Sequence, residues 1–290
     1  MGVSIATTRP QASQLSAVGQ LLRDWRNSRG ISQLELAMHA GFSARHVSFI
    51  ETGRSQPSRH ALLVLADSLD MPLGERNRLL EAAGYAHVYR QTPLAAEEMT
   101  QVRSVLQFII DRHHPYPAAV LDRYTNCLMA NDQCLRLVAM LVDPSLLAEP
   151  VNFLRATFHP LGARRWIVNW NEFSWHLLMR TERELERGFA DPRGAALLDE
   201  LRGYDAQHSR EKYGSAGDDL LVPMHVRKQG VDMRLFCTFL TLGTPQDVTL
   251  QELRIETFFP ADAASERAWT QAAALQTVAT AETVRSTLSQ

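Results

Sequence analysis

Read for the spacing of apolar and polar positions, the chain begins as a series of short helices. Val18, Leu21, Leu22 and Trp25 recur at i, i+3, i+4 and i+7, the period of a helix with one buried face, and the run stops at Gly30. Ser32 followed three residues later by Glu35 has the form of a capping box, so a second helix starts there, with Leu34, Ala37 and Met38 at helical spacing and Gly41 ending it. Ser43 caps again. Val47 and Ile50 mark the inward side of a third helix that closes at Gly53, which leaves Ala44, Arg45, Ser48 and Phe49 turned outward. Ser58 opens a fourth helix with Leu62, Leu65, Ala66 and Leu69, and Pro72 a fifth with Leu73, Leu79, Leu80 and Ala83, ending at Gly84. Residues 15–84 therefore read as an all-α, five-helix domain, 1–14 as a disordered lead, and 85–93, where the apolar period is lost, as a linker.

From Leu94 the pattern restarts with an amphipathic helix whose Val102, Val105, Leu106 and Ile109 share a stripe. It then changes period. Pro117 to Asp122 and Thr125 to Ala130 are short apolar runs around Arg123-Tyr124, leading through Asn131 into another helix. Helical patterns follow over Pro160 to Gly188 and Pro192 to Tyr213, and strands return at Leu220 to Arg227, Val231 to Leu242 and Leu250 to Phe259, with turns at Gln229-Gly230 and Gly243-Thr244-Pro245. Five strands with intervening helices predict an α+β domain over 94–265, an antiparallel sheet with helices on one face, followed by a terminal helix and tail over 266–290. Strand, turn, strand, then asparagine and helix resembles the start of a PAS domain.

Ser32 to Pro57 carries the clearest chemistry. Two short helices across a glycine-containing turn have the spacing of a DNA-binding helix-turn-helix, whose second helix enters the major groove by its N-terminal residues; the plainer alternative is a helical hairpin in a larger core. Gln33, Glu35-Leu36-Ala37, Gly41, Ser43, Ile50-Glu51, Gly53-Arg54 and Pro57 resemble the XRE, or phage Cro and repressor, family over roughly residues 15–70. That resemblance implies a partly buried ion pair between Arg26 and Glu51 and a phosphate contact from Gln33. It places Arg54 beside the DNA backbone, Ser43, Ala44, Arg45 and Ser48 at the start of the reading helix, and Phe49 within reach of a thymine methyl. Arg45, able to make a bidentate contact to guanine, is the first choice for a specificity residue.

Charge sharpens this picture. Residues 1–90 carry +3 and the remainder −5, so the helix-turn-helix module is only weakly basic, and tight binding calls for two modules on one double-stranded site. Nearly all cations are arginine, Lys212 and Lys228 excepted. The composition, 45% apolar and 21% charged, is that of a globular chain with no membrane-spanning run, and the first residues lack the features of a signal peptide, so a cytoplasmic location is expected. Cys127, Cys134 and Cys237 are an odd number without metal-ligand spacing, and read as reduced, packed thiols.

In the second domain, Asn152 to Arg155, Phe158-His159-Pro160, Arg164-Arg165, Asn169-Trp170 and Gly243 to Glu256 resemble the MmyB-like transcription-regulator ligand-binding domain over about residues 105–260. The resemblance implies a PAS-like fold joined to an XRE domain, as a homodimeric regulator whose interior accepts a small, often apolar molecule. Trp166, Trp170, Phe173 and Leu177 recur at helical spacing and are either ordinary core or one wall of a pocket. Phe236, Thr238 and Leu240 alternate with Leu235, Cys237 and Phe239, so whichever face looks inward is apolar. Such a pocket favours an elongated ligand such as a fatty acid, and Arg155, Arg165, His176 and Tyr204 are candidates to meet an acid head group. No catalytic or metal residue is assigned: His113-His114 have no matching ligand cluster, and no nucleophile, carboxylate pair or glycine-rich phosphate loop is recognisable. Two other readings remain, a ligand-free dimerisation scaffold and a redox sensor acting through Cys127 and Cys134.

Overall fold

A computed structural model describes residues 17–147, 150–185, 191–204 and 221–275. The chain divides into two compact units, Met1–Gln91 and Thr92–Gln290. The expected lead at 1–14, the ends of two predicted helices beyond Leu185 and Tyr204, and the tail after Leu275 lie outside the described residues. Among those described, no helix is long and apolar enough to cross a membrane.

The first unit holds α1 (Ala17–Ser28), α2 (Gln33–Ala40), α3 (Ala44–Glu51), α4 (Arg59–Ser68) and α5 (Leu73–Ala82). Ser32 completes its capping box with Glu35, and Ser43 and Ser58 accept from the backbone of His46 and Ala61. Gly41 and Gly53 adopt φ of 69° and 71°, the left-handed conformation that turns the chain on either side of α3. Its core is Leu22, Trp25, Leu36, Val47, Ile50, Leu62, Leu65 and Leu80, all buried. One expectation fails in α2. Leu34 and Met38 are exposed, and the buried face is Leu36, Ala37 and Ala40, because the stripe that meets α3 and α4 is set one turn-position around from the one the apolar residues suggested. Part of the expected linker, 85–93, is hydrogen-bonded within the first unit. The Tyr85 hydroxyl donates to Pro57 O, and the Asn77 amide holds the backbone of Val88 and Tyr89 against α5.

The second unit begins with α6 (Thr100–Arg112) and continues through β1 (Ala118–Leu121), β2 (Cys127–Ala130), α7 (Asp132–Leu141), α8 (Phe153–Phe158), α9 (Trp170–Leu185) and α10 (Pro192–Tyr204). It closes with β3 (Met224–Lys228), β4 (Val231–Leu240), α11 (Val248–Glu252), β5 (Arg254–Pro260) and α12 (Ala263–Leu275). The strands form one antiparallel sheet in the order β2-β1-β5-β4-β3. Leu250 does not begin the last strand: Asp247 caps α11 there, and the same carboxylate holds the backbone and hydroxyl of Thr92.

Helices do not lie on one face alone. Ala118 and Val120 pack on Leu106 and Ile110 of α6, while Ala119 and Leu121 join the cluster built with α7, α8 and β3, so β1 is buried on both sides. Asn131 locks this corner. Buried at the N-cap of α7, it accepts from the N–H groups of Ala118 and Cys134 and donates to Ile110 O and Tyr116 O, so its amide is fully used. The terminal helix is integral too, since Trp269 is buried and donates to Pro115 O.

Candidate functional site: the reading helix and an internal cavity

Glu51 organises the first unit. Fully buried at the end of α3, it accepts from Arg26 Nε at 2.6 Å and Nη2 at 3.1 Å, from Gln33 Nε2 at 2.8 Å and from Arg23 Nε at 3.4 Å. Burial alone would raise its carboxyl pKa, but the bonds from Arg26 and Gln33 and the nearby positive charge win, and the group lies below the usual carboxylate range. Arg26 Nη1 also donates to Ile31 O, so one guanidinium ties α1, the α1–α2 connection and α3 together. Gln33 is thus a member of this network, its amide nitrogen engaged with Glu51.

Gly19 is the part of this assembly that helical patterning did not reveal. A Cβ there would lie 2.6 Å from Ile50 O and 2.8 Å from Glu51 O, so only glycine lets the backbone of α1 rest on the end of α3.

Outside that buried end, α3 presents its opposite side. Ser43 and Arg45 are exposed, Ala44, Ser48 and Phe49 half-buried, and Arg54 exposed after the helix. The Arg45 and Arg54 guanidinium carbons lie 5.0 Å and 5.9 Å from the Phe49 ring centroid. Phe49 is therefore a platform that draws two cations to one side of α3.

The second unit holds a cavity of about 400 Å³, open to the surface on one side, between the sheet and α7, α8 and α9. Leu137, Val138 and Leu141 of α7, Phe153 of α8, Phe173 and Leu177 of α9, and Met224, Leu235 and Phe258 of the sheet supply its apolar lining. Three nitrogen-bearing side chains of α9, His176, Arg180 and Arg183, border it at spacings of four and three, one stripe of that helix. His176 and Arg183 are exposed, and Arg180 is half-buried.

Of the pocket residues expected from the sequence, Phe173, Leu177, His176 and Phe236 border this cavity. The Phe236 ring also stacks on Phe259. Thr238 and Leu240 do not border it: Thr238 pairs with the Thr257 hydroxyl and Leu240 is exposed, and on β4 the consecutive residues Leu235, Phe236 and Cys237 meet the cavity. Trp166 and Trp170 are not on one helix. Ile167 to Asn169 pair with β3 through Ile167–Val226, Val168 N to His225 O and His225 N to the Asn169 side chain, so α9 begins only at Trp170. Trp166 packs under Lys228, and Trp170 stacks edge-on with Phe158. Arg155 and Tyr204 both bind Glu200. Arg165 lies over Trp166.

Arg180 and Glu256 are among the lining residues that the sequence reading missed. Arg180 sits 4.5 Å above the Phe239 ring, with Nη1 3.6 Å from Cys237 Sγ. Glu256, on the central strand opposite Ala119 and Phe239, is only 8% exposed. Burial raises its pKa against the opposing field of Arg180; burial also works against the charge of Arg180, yet Glu256, Cys237 and Glu184 together raise its pKa. A lone charged residue in the stretch Ile255 to Phe259 was the available signal. The thiols are subdued: burial pushes Cys134 well above the usual thiol range and Cys237 up to about 12.

Comparison with known proteins finds the MmyB-like transcription regulator ligand binding domain over residues 102–272 and a helix-turn-helix domain over 17–79. Uncharacterised HTH-type transcriptional regulators of Mycobacterium bovis and Mycobacterium tuberculosis are 31% identical over 98 residues, which is 33% of this chain and 38% of theirs. The chain thus matches well under half the length of these relatives. Among solved structures, the restriction-modification controller protein C.AhdI from Aeromonas hydrophila is 34% identical over 21% of this chain and 88% of its own, with a TM-score of 0.21. ComR from Streptococcus suis is 13% identical over 64% of this chain and 67% of its own, with a TM-score of 0.20.

Proposed function

Because the chain belongs to the MmyB-like transcription regulators, with a helix-turn-helix domain ahead of the ligand-binding domain, we propose that it is a homodimeric, sequence-specific DNA-binding regulator whose second unit senses a small apolar molecule. In this reading the exposed side of α3 reads a two-fold site in duplex DNA, and Arg45 contacts base edges while Arg54 contacts phosphate. The strand order β2-β1-β5-β4-β3, with α7 to α9 over one face, supports a PAS-like sensor. The chain acts by binding rather than by catalysis, in line with the regulator families matched along both units.

The observation that carries the sensing role is the cavity. A dimerisation scaffold needs no internal space, whereas about 400 Å³ lined by leucine, valine, methionine and phenylalanine suits an elongated apolar molecule with one polar end, a fatty acid among them. Redox sensing through Cys127 and Cys134 is disfavoured by the burial of both thiols and by the upward shift of Cys134. Linkage supplies the mechanism: a ligand alters operator affinity only by binding the DNA-competent and incompetent states unequally.

The reading side of α3 is tested by selecting sites from random duplex DNA and comparing Arg45→Ala with Arg54→Ala. Arg45→Ala should relax preference at one position per half-site, by about 1–3 kcal/mol. Arg54→Ala should weaken selected and random DNA alike. Equal losses on both kinds of DNA for Arg45→Ala would remove it as a reading residue.

A further inference from the structure

The lining of the cavity changes character from one end of α9 to the other. From Phe173 to Arg183 the helix borders it over about 15 Å, at a rise of 1.5 Å per residue. The start of α9 is fixed at one end of the sheet: Ile167 pairs with Val226, which faces Met233 on β4, and the Arg164 guanidinium lies 4.9 Å from the Trp170 ring centroid. Its later turns reach the other end, where Arg180 lies over Phe239. Glu256 is opposite Phe239 on β5, so Glu256, Arg180 and Arg183 gather at that second end. The two ends also differ in access. At the first, Val142, Ala156 and Ala163 border the cavity and all three are buried. Backbone shuts that end: Asp143 N donates to Leu161 O, and a Cβ on Gly162 would collide with Ala156 O, so the turn carrying Ala163 rests directly on α8. At the second end Arg183 is exposed, and so is Leu221, which leads into β3 from the Phe239 side of the sheet.

An elongated amphiphile can enter such a space in two directions, and they are not equivalent. With its polar end inward, that end would lose its water and face alanine and valine, which offer no hydrogen bond in return. With its polar end outward, water at the mouth serves a charged or a neutral group alike, and the apolar chain is buried where the wall is apolar. We infer that the ligand lies along α9 with its apolar end against Val142, Ala156 and Ala163 and its polar end at the mouth beside Arg183, and that Ala163 sets the longest chain the cavity accepts. This rests on the reading of the cavity as the ligand site and adds the direction of the ligand and the residue that measures its length.

The test is calorimetric titration of the full-length protein with decanoate and with ω-hydroxydecanoate, which differ only by a hydroxyl on the carbon farthest from the carboxylate. Decanoate should bind at least about fivefold more tightly, because the added hydroxyl would be buried without a partner at the closed end. A smaller difference, or tighter binding of the hydroxy acid, would overturn the direction and leave the cavity reading standing. Binding of neither compound would overturn both. Chain length is tested with Ala163→Leu on octanoate, decanoate, dodecanoate and tetradecanoate. Each added methylene should tighten binding by up to about fourfold until the chain meets the closed end, and the substitution should bring that limit forward by at least one member of the series. An unchanged limit, or equal weakening of every length, would remove Ala163 as the measuring residue. The decanoate comparison needs no substitution, so it decides the direction even if Ala163→Leu fails to fold.

Discussion

Replacing Glu51 by glutamine keeps its volume and one acceptor oxygen but removes the charge at the centre of the first unit. Arg26, 11% exposed at its side chain, would lose its carboxylate partner, whereas Arg23, at 31%, can turn to water. Breaking a buried pair by removing one partner costs about 3–5 kcal/mol. The Ile31 carbonyl remains for Arg26, and Arg23 is partly solvated, so the lower end, about 3 kcal/mol, is expected here. A domain of this size loses about 4–8 °C of melting temperature per kcal/mol, which predicts a fall of at least about 12 °C in the transition of the first unit. Circular dichroism melts of the full chain, with the second unit's transition as internal reference, measure it. The pH dependence follows from the same charge. The folded carboxyl lies below its unfolded value, so its contribution is present above the unfolded pKa and is lost as pH falls through the folded one; the gap between Glu51→Gln and the unsubstituted protein should narrow on acidification. A melting shift of under about 3 °C at neutral pH would refute the network as a determinant of the fold.

Two other perturbations separate the remaining structural claims. Gly19→Ala gains about 1 kcal/mol of helix propensity but drives a Cβ to 2.6 Å from Ile50 O, an overpacking cost of about 1–3 kcal/mol. Urea unfolding should show net destabilisation of about 1 kcal/mol, and a stabilised variant would mean that α1 and α3 are not in close backbone contact. Under native conditions an aromatic disulfide reagent should leave Cys134 unmodified at neutral pH, and mild peroxide should leave DNA affinity unchanged; rapid labelling of Cys134 would restore the redox reading.

The first unit was legible because its signals are local. Ser32, Glu35, Gly41, Ser43 and Gly53 act within a few residues of themselves, and their types state what the backbone does there. Leu34 and Met38 misled because apolar residues at helical spacing need not lie on the buried stripe; the partners across α3 and α4 choose it. Gly19 carried no local signal, since its requirement arises from a backbone thirty-one residues further on. In the second unit, pairing of Ile167 to Asn169 with β3 overrode the helical pattern that joins Trp166 to Trp170 in the sequence. Which part of β4 meets the cavity was likewise undecided until its neighbours β3 and β5 fixed it: Leu235, Phe236 and Cys237 border it, and Thr238 and Leu240 do not.

The central claim is that occupancy of the cavity changes how α3 engages DNA. The most direct measurement is fluorescence anisotropy of the full-length protein on a selected two-fold site at fixed salt, titrated without and with saturating decanoate. The account predicts a change in operator affinity of about fivefold or more, the scale of coupling free energies of about 1–3 kcal/mol, with no comparable change on random DNA. Calorimetrically demonstrated binding of decanoate that left operator affinity unaltered would contradict it.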